Sequence, residues 1–132
     1  MVVKMLEILF NQNRVYIFSG YTISATCYKK DNKWQSISTQ EYINDAYKVS
    51  SSLLALGIKP NDKIAVITTN NNPNWHSLDL GILQIGAQNV PLYATLSEKD
   101  YAYILNHSDA KYCFVSDNDL YQKVKSIENK TQ

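Results

Sequence analysis

Three short apolar runs, Ile64-Ala65-Val66-Ile67, Val90-Pro91-Leu92-Tyr93 and Tyr112-Cys113-Phe114-Val115, are separated from one another by stretches whose apolar residues repeat at helical spacing. A run such as Ile64–Ile67 has no polar face to turn toward water. As a strand it must be covered on both sides, which is the situation of a parallel sheet between helices. Helices placed between buried strands imply right-handed βαβ units and a doubly wound sheet. Pro91 lacks a ladder donor, so its strand belongs near an edge of the sheet or at the end of the pairing.

The helices carry their own start and stop signals. Ser38-Thr39-Gln40-Glu41 is a capping box, and Tyr42, Ala46, Val49, Leu53 and Leu56 follow in steps of four and three as a buried stripe. Gly57 ends this helix as a left-handed cap, with Ile58 folding back onto the last turn and Lys59-Pro60-Asn61-Asp62 as a turn. Asn72 before Pro73 starts a second helix with Trp75, Leu78, Ile82 and Ile85 inward, ended by Gly86. Ser97-Glu98-Lys99-Asp100 opens a third with Tyr101, Ile104 and Leu105 inward, and Leu120, Val124 and Ile127 stripe a last one. The alternating region runs over 38–128.

Ahead of it, 15–37 has a different character. Tyr21–Tyr28 is rich in strand formers, Lys29–Lys33 supplies turn residues, and Trp34–Ile37 resumes the alternation, so this region reads as a β-hairpin. Met1–Phe10 is apolar but carries Lys4 and Glu7 and no small-residue cleavage site, which predicts a short helix in place of a signal peptide. No stretch approaches the roughly 20 apolar residues that span a bilayer, and the expected location is cytoplasmic. The 132 residues read as a single domain, α/β in class: a partial doubly wound, mostly parallel sheet flanked by helices and preceded by a hairpin.

Thirteen Lys and Arg against twelve Asp and Glu give a net charge of +1, and Arg14 is the single arginine. A nucleic-acid binder would show a basic stripe, so that class is excluded. Cys27 and Cys113 match no metal or redox spacing, and Cys113 reads as a small buried hydrophobe. Ligands of open α/β sheets bind beyond the carboxyl ends of strands, here Thr68–Asn72 and Tyr93–Leu96. The first precedes a helix N-terminus suited to an anion, yet it contains no glycine, and its asparagines read as turn and cap residues. His76 is beside Ser77 and Asp79, but neighbours on a helix point in different directions, so no triad follows. His107 suits the end of a helix dipole. Asp45, Asp79 and Asp100 form no acid/base pair, and Gly20, Gly57, Gly81 and Gly86 do not cluster as phosphoryl chemistry requires. Tyr93, Tyr101 and Tyr103 are expected in core packing. No catalytic, cofactor-binding or metal-ligating residue emerges.

The order of certain segments nevertheless resembles the opening of AMP-forming acyl-CoA synthetases. These are Trp34–Tyr42, Leu56–Val66, Asn70–Trp75, Gly81–Ser97 and Tyr101–Lys111, a likeness covering about Trp34 to Val124. The tryptophan-containing opening and Val90-Pro91-Leu92-Tyr93 look most like the long-chain fatty acid–CoA ligase branch. Ala94 departs from the pattern, standing where many relatives have proline. The resemblance implies a fold like the start of the N-terminal domain of adenylate-forming enzymes. It also implies a two-step parent reaction: a fatty-acid carboxylate attacks the α-phosphorus of ATP with Mg²⁺ in place, then the thiol of coenzyme A displaces AMP. Family members are several times longer, and their phosphate-binding loop, magnesium-holding acid, ribose-binding aspartate and C-terminal lysine have no counterpart here. The chain is therefore expected to be an inactive N-terminal piece that binds no cofactor itself, with the rest of the ligase, fatty acid, ATP and CoA as the parent's partners. Peripheral membrane association of the parent is compatible with this. Two other readings stand beside it: an adenylating ligase for another carboxylic acid, and a self-standing interaction domain that forms a homo-oligomer through an exposed sheet edge.

Overall fold

The computed structural model describes residues 24–69 and 72–131. The expected helix at Met1–Phe10 and the part of the hairpin region before Ser24 lie outside the described residues, as do Asn70 and Asn71. The chain divides into two compact units, one running to Lys59 and resuming over Asn72–Gly86, the other comprising Pro60–Asn71 and the chain from Ala87 onward.

In the first unit, β1 (Ser24–Lys30) pairs antiparallel with β2 (Lys33–Ser38). The connection is narrower than the five residues expected. Only Asp31 and Asn32 form it, both at positive φ (50° and 62°), the pattern of a two-residue turn whose twist matches the strands. Short polar side chains tolerate this conformation, which is why Asp and Asn stand there. Ser38 then caps α1 (Thr39–Ala55): its hydroxyl accepts from the Glu41 amide, and the Glu41 carboxylate accepts from the Ser38 amide at 2.8 Å. At the far end Gly57, at φ 82°, donates to Leu54 O while Ile58 donates to Leu53 O, the paired bonds of a Schellman motif. Ile58 is buried, as the fold-back requires.

The buried stripe of α1 is displaced from the one expected. Ala46 and Leu53 are in it, but its other members are Ile43 and Ser50, while Tyr42 and Val49 flank it half-buried. Leu56 is 52% exposed because it is the C-cap, where the chain has already left the helical path. α2 (Pro73–Gln84) starts on Asn72, whose Oδ1 accepts from the Asn74 amide at 2.9 Å. Of its expected stripe Ile82 is fully buried and Trp75, Leu78 and Ile85 are half-buried; Ser77 and Gly81 are buried with Ile82. The two helices approach closely at Gly81. A Cβ there would sit 2.5 Å from Val49 Cγ1 and 2.7 Å from Val49 Cβ. Beside this contact the buried Ser50 hydroxyl is within bonding reach of the Ala46 and Gly81 carbonyls, 3.0 Å each, and of the Gln84 side chain.

The second unit holds a three-stranded parallel sheet in the order β4-β3-β5, with β3 (Lys63–Thr68) between β4 (Gln88–Tyr93) and β5 (Ala110–Val115). Each of the four residues Ile64–Ile67 is buried, as their unbroken apolar run demands. Pro91 lies on an edge strand of the described sheet, where a missing donor costs no ladder bond. α3 (Glu98–Ser108) begins with a second capping box, Ser97 with Asp100, and ends at Asp109 in the left-handed conformation. α4 (Asn118–Lys125) is capped by Asp117, and a single 3₁₀ turn, Glu128–Lys130, follows. Ala65 and Ile67 from β3, Leu92 from β4, Tyr101 and Leu105 from α3, Leu120 from α4 and Ile127 form one core. The architecture is the α/β one expected: an antiparallel hairpin, then a parallel sheet flanked by helices.

Candidate functional site

Because the three strands of the second unit are parallel, their carboxyl ends lie together, and the residues just beyond them are where such a sheet receives a ligand. Two devices organise this end. The first ties β3 to β5. The Thr69 amide donates to Ser116 Oγ at 3.1 Å, and the Ser116 hydroxyl donates to Asp117 Oδ2 at 2.8 Å. The Thr69 hydroxyl reaches the same carboxylate oxygen at 3.1 Å, and Asp117 Oδ1 accepts from the Leu120 amide at 3.0 Å. Hydrogen bonds from the Leu120 amide, Ser116 and Thr69 hold the Asp117 carboxyl below its ordinary pKa.

The second device fixes the loop after β4. The Tyr101 hydroxyl, from a fully buried ring, donates to Tyr93 O at 2.9 Å. Lys123 of α4 donates to Leu96 O and places its ammonium 5.0 Å from the centre of the Tyr101 ring. Tyr93–Leu96 is thus held from two helices, with the Tyr93 side chain 80% exposed at its head. This corrects the expectation of core packing for three tyrosines: Tyr101 alone is in the core. Tyr93 stands at the end of its strand, and Tyr103 is 67% exposed, stacked flat on His107 at 5.6 Å on the solvent face of α3.

These groups make a rigid rim and offer little reactivity. Both oxygens of Asp117 are engaged, and the Thr69 and Ser116 hydroxyls are turned toward it, so no general base faces open space. His76 is exposed against the edge of Trp75 while Ser77 is buried, so the helix separates them as its geometry requires. Asp45 is bound to Lys48 at 2.8 Å, and Asp100 is part of its cap. No group of three or more His, Cys, Asp or Glu among the described residues is placed to hold a metal ion. Among the described residues at these strand ends, the Thr69, Ser116 and Asp117 side chains are bonded to one another and not held open for a magnesium-bound phosphate. Sequence reasoning missed the Thr69–Ser116–Asp117 knot, although Asp117 three residues before Leu120 is a legible cap signal; Lys123 gave no signal at all.

On another side of this unit a groove of about 300 Å³ runs between β5 and α4, floored by Leu105, Cys113, Val115 and Val124 and edged by Tyr121 and Glu128. Cys113 is half-buried, close to the small buried hydrophobe expected, and burial pushes its thiol up to about 11; both cysteines are free. No helix among the described residues is long and apolar enough to cross a membrane.

Comparison with known proteins agrees with this scaffold. The family described as AMP-binding enzyme matches residues 18–132. The long-chain-fatty-acid–CoA ligase FadD15 of Mycobacterium bovis is 29% identical over 84 residues, 64% of this chain and 14% of the ligase. The long-chain-fatty-acid–CoA ligase ACSBG2 of Homo sapiens is 26% identical over 106 residues, 80% of this chain and 16% of that protein. The anthranilate CoA ligase AuaEII, solved with anthranoyl-AMP, superposes on 98% of this chain with a TM-score of 0.74 at 20% identity, the match using 22% of its own length. The chain thus spans about one seventh of the curated relatives it matches.

Proposed function

Since the chain belongs to the family of AMP-binding enzymes, we propose that it is the N-terminal structural part of a long-chain fatty acid–CoA ligase and has no catalytic activity alone. The parent would join a fatty acid to coenzyme A through an acyl-adenylate, consuming ATP with Mg²⁺ and releasing AMP and pyrophosphate, in the cytoplasm. The family match over residues 18–132 carries this reading. The fatty-acid preference is supported by FadD15 and ACSBG2, whose names state it. The scaffold role is supported by the chemistry of the strand ends, where every carboxylate and hydroxyl of the Thr69–Ser116–Asp117 knot is already bonded within the fold. What remains for this part of a ligase is to supply sheet, helices and one fixed wall, with Tyr93–Leu96 as its rim.

Incubating the purified chain with ATP, Mg²⁺, coenzyme A and palmitate tests this reading. No AMP and no acyl-CoA should form. Turnover in a preparation free of host ligase would overturn the scaffold role. Sequencing the transcript beyond the Gln132 codon tests the parent: a Ser/Thr/Gly-rich loop is expected there, and a stop codon directly after it would remove the ligase parent.

A further inference from the structure

The turn end of the β1–β2 hairpin is both cationic and aromatic, and the fold leaves it uncovered. Each of residues 29–34 is exposed, Trp34 to 74%, although tryptophan is on average among the well-buried side chains. Lys29, Lys30 and Lys33 enter no ion pair among the described residues. Three lysines against the one acid, Asp31, leave this tip at +2. Register sorts the side chains by face. Lys29 pairs with Trp34 and shares its face, while Lys30 pairs with Lys33 on the other, beside Tyr28 and Gln35, whose side chains meet at 2.8 Å. Like charges directly opposite one another destabilise a strand pair, so Lys30 against Lys33 is an arrangement that an external anion would relieve.

We propose that this hairpin tip docks on a membrane, entering the headgroup layer of an anionic bilayer. Two observations select a bilayer over a folded partner. Cations stand on both faces of a blade two strands wide; a protein surface would meet one face, whereas headgroup phosphates surround both. The indole stands one residue pair behind Lys30 and Lys33, so the tip from turn to Trp34 is roughly 7 Å deep, about the thickness of one leaflet's headgroup layer. At that level a tryptophan ring anchors a protein to the interface, and the lysine stems lie along apolar surface while their ammoniums reach phosphate. The contact is shallow and electrostatic, and it needs no segment that crosses the bilayer.

Co-sedimentation of the full chain with vesicles tests this. Vesicles of phosphatidylcholine and phosphatidylglycerol in equal parts should carry the chain down, pure phosphatidylcholine should not, and salt at about 0.5 M should release it. Replacing Lys29, Lys30 and Lys33 together by Gln should weaken partitioning on the order of 100-fold, about fivefold for each cation, and Trp34→Ala on the order of tenfold. Fluorescence places the ring independently: with Trp75→Phe leaving Trp34 as the single indole, its emission should shift to the blue on the anionic vesicles. A chain that stays in solution beside anionic vesicles overturns the proposal, as does vesicle binding indifferent to the lysine and Trp34 changes, or an emission that does not move. Release by inorganic phosphate at matched ionic strength overturns it too, since the tip would then be a phosphate site. None of these results bears on the ligase reading, which is judged by turnover and transcript.

Discussion

Asp117 illustrates how much one side chain can fix. It caps α4, binds Thr69 and Ser116, and thereby joins two strand ends that lie far apart in sequence. Hydrogen bonds depress its pKa, and the same holds for Asp100 and Glu41 in the capping boxes, where the Ser97 and Ser38 hydroxyls and amides are the donors. A carboxyl with a depressed folded pKa contributes stability that is present above its unfolded value and lost as pH falls through the folded one. Melting temperature should therefore drop as pH falls below the ordinary 3.8 of Asp100 and Asp117, and Asp117→Asn should make that drop shallower. Cys113 gives a separate readout. With its thiol raised to about 11, it should resist iodoacetamide at neutral pH while exposed Cys27 reacts, as peptide mapping would reveal. At Gly81 a methyl group has no room against Val49. Gly81→Ala should cost roughly 1–3 kcal/mol in denaturant melts despite alanine's better helix propensity, because overpacking outweighs it.

At the scale of elements, the sequence was most informative where the chemistry is local. The Ser38 capping box, the Ser97 helix opening, the Asn72 cap and the Gly57 stop join residues two to five positions apart, so their partners could be read side by side. The hairpin loop shrank from five residues to two because only Asp31 and Asn32 leave the strand ladder. Helix faces were less legible. In α1 the stripe drawn through Tyr42, Val49 and Leu56 gave way to one through Ile43 and Ser50. Hydropathy alone would not bury a serine; Ser50 can be buried because its hydroxyl has carbonyl acceptors within reach one helical turn away and on the neighbouring helix. The Asp117 knot and the Lys123 clamp were invisible for the same reason, since their bonds close only after β3, α3, β5 and α4 have met. Gly57 allows a test at this scale. No atom within 4 Å would meet a Cβ there, so Gly57→Ala should cost only the backbone strain of its φ of 82°, roughly 1 kcal/mol in a chemical melt.

For the molecule as a whole, what the described strand ends display is bracing: Thr69, Ser116 and Asp117 bond to one another, and Tyr101 and Lys123 hold the loop after β4. Lys123→Met provides a check that separates bracing from chemistry. It should leave the fold intact and loosen only Tyr93–Leu96, seen as faster amide exchange confined to that loop.

Pro91 has one more consequence. Fibres grow when every added unit presents a fresh adhesive side to the next. Here one flank of the described parallel sheet carries an imino acid that offers no donor, so a stack of like sheets finds no complete ladder to grow on from that side.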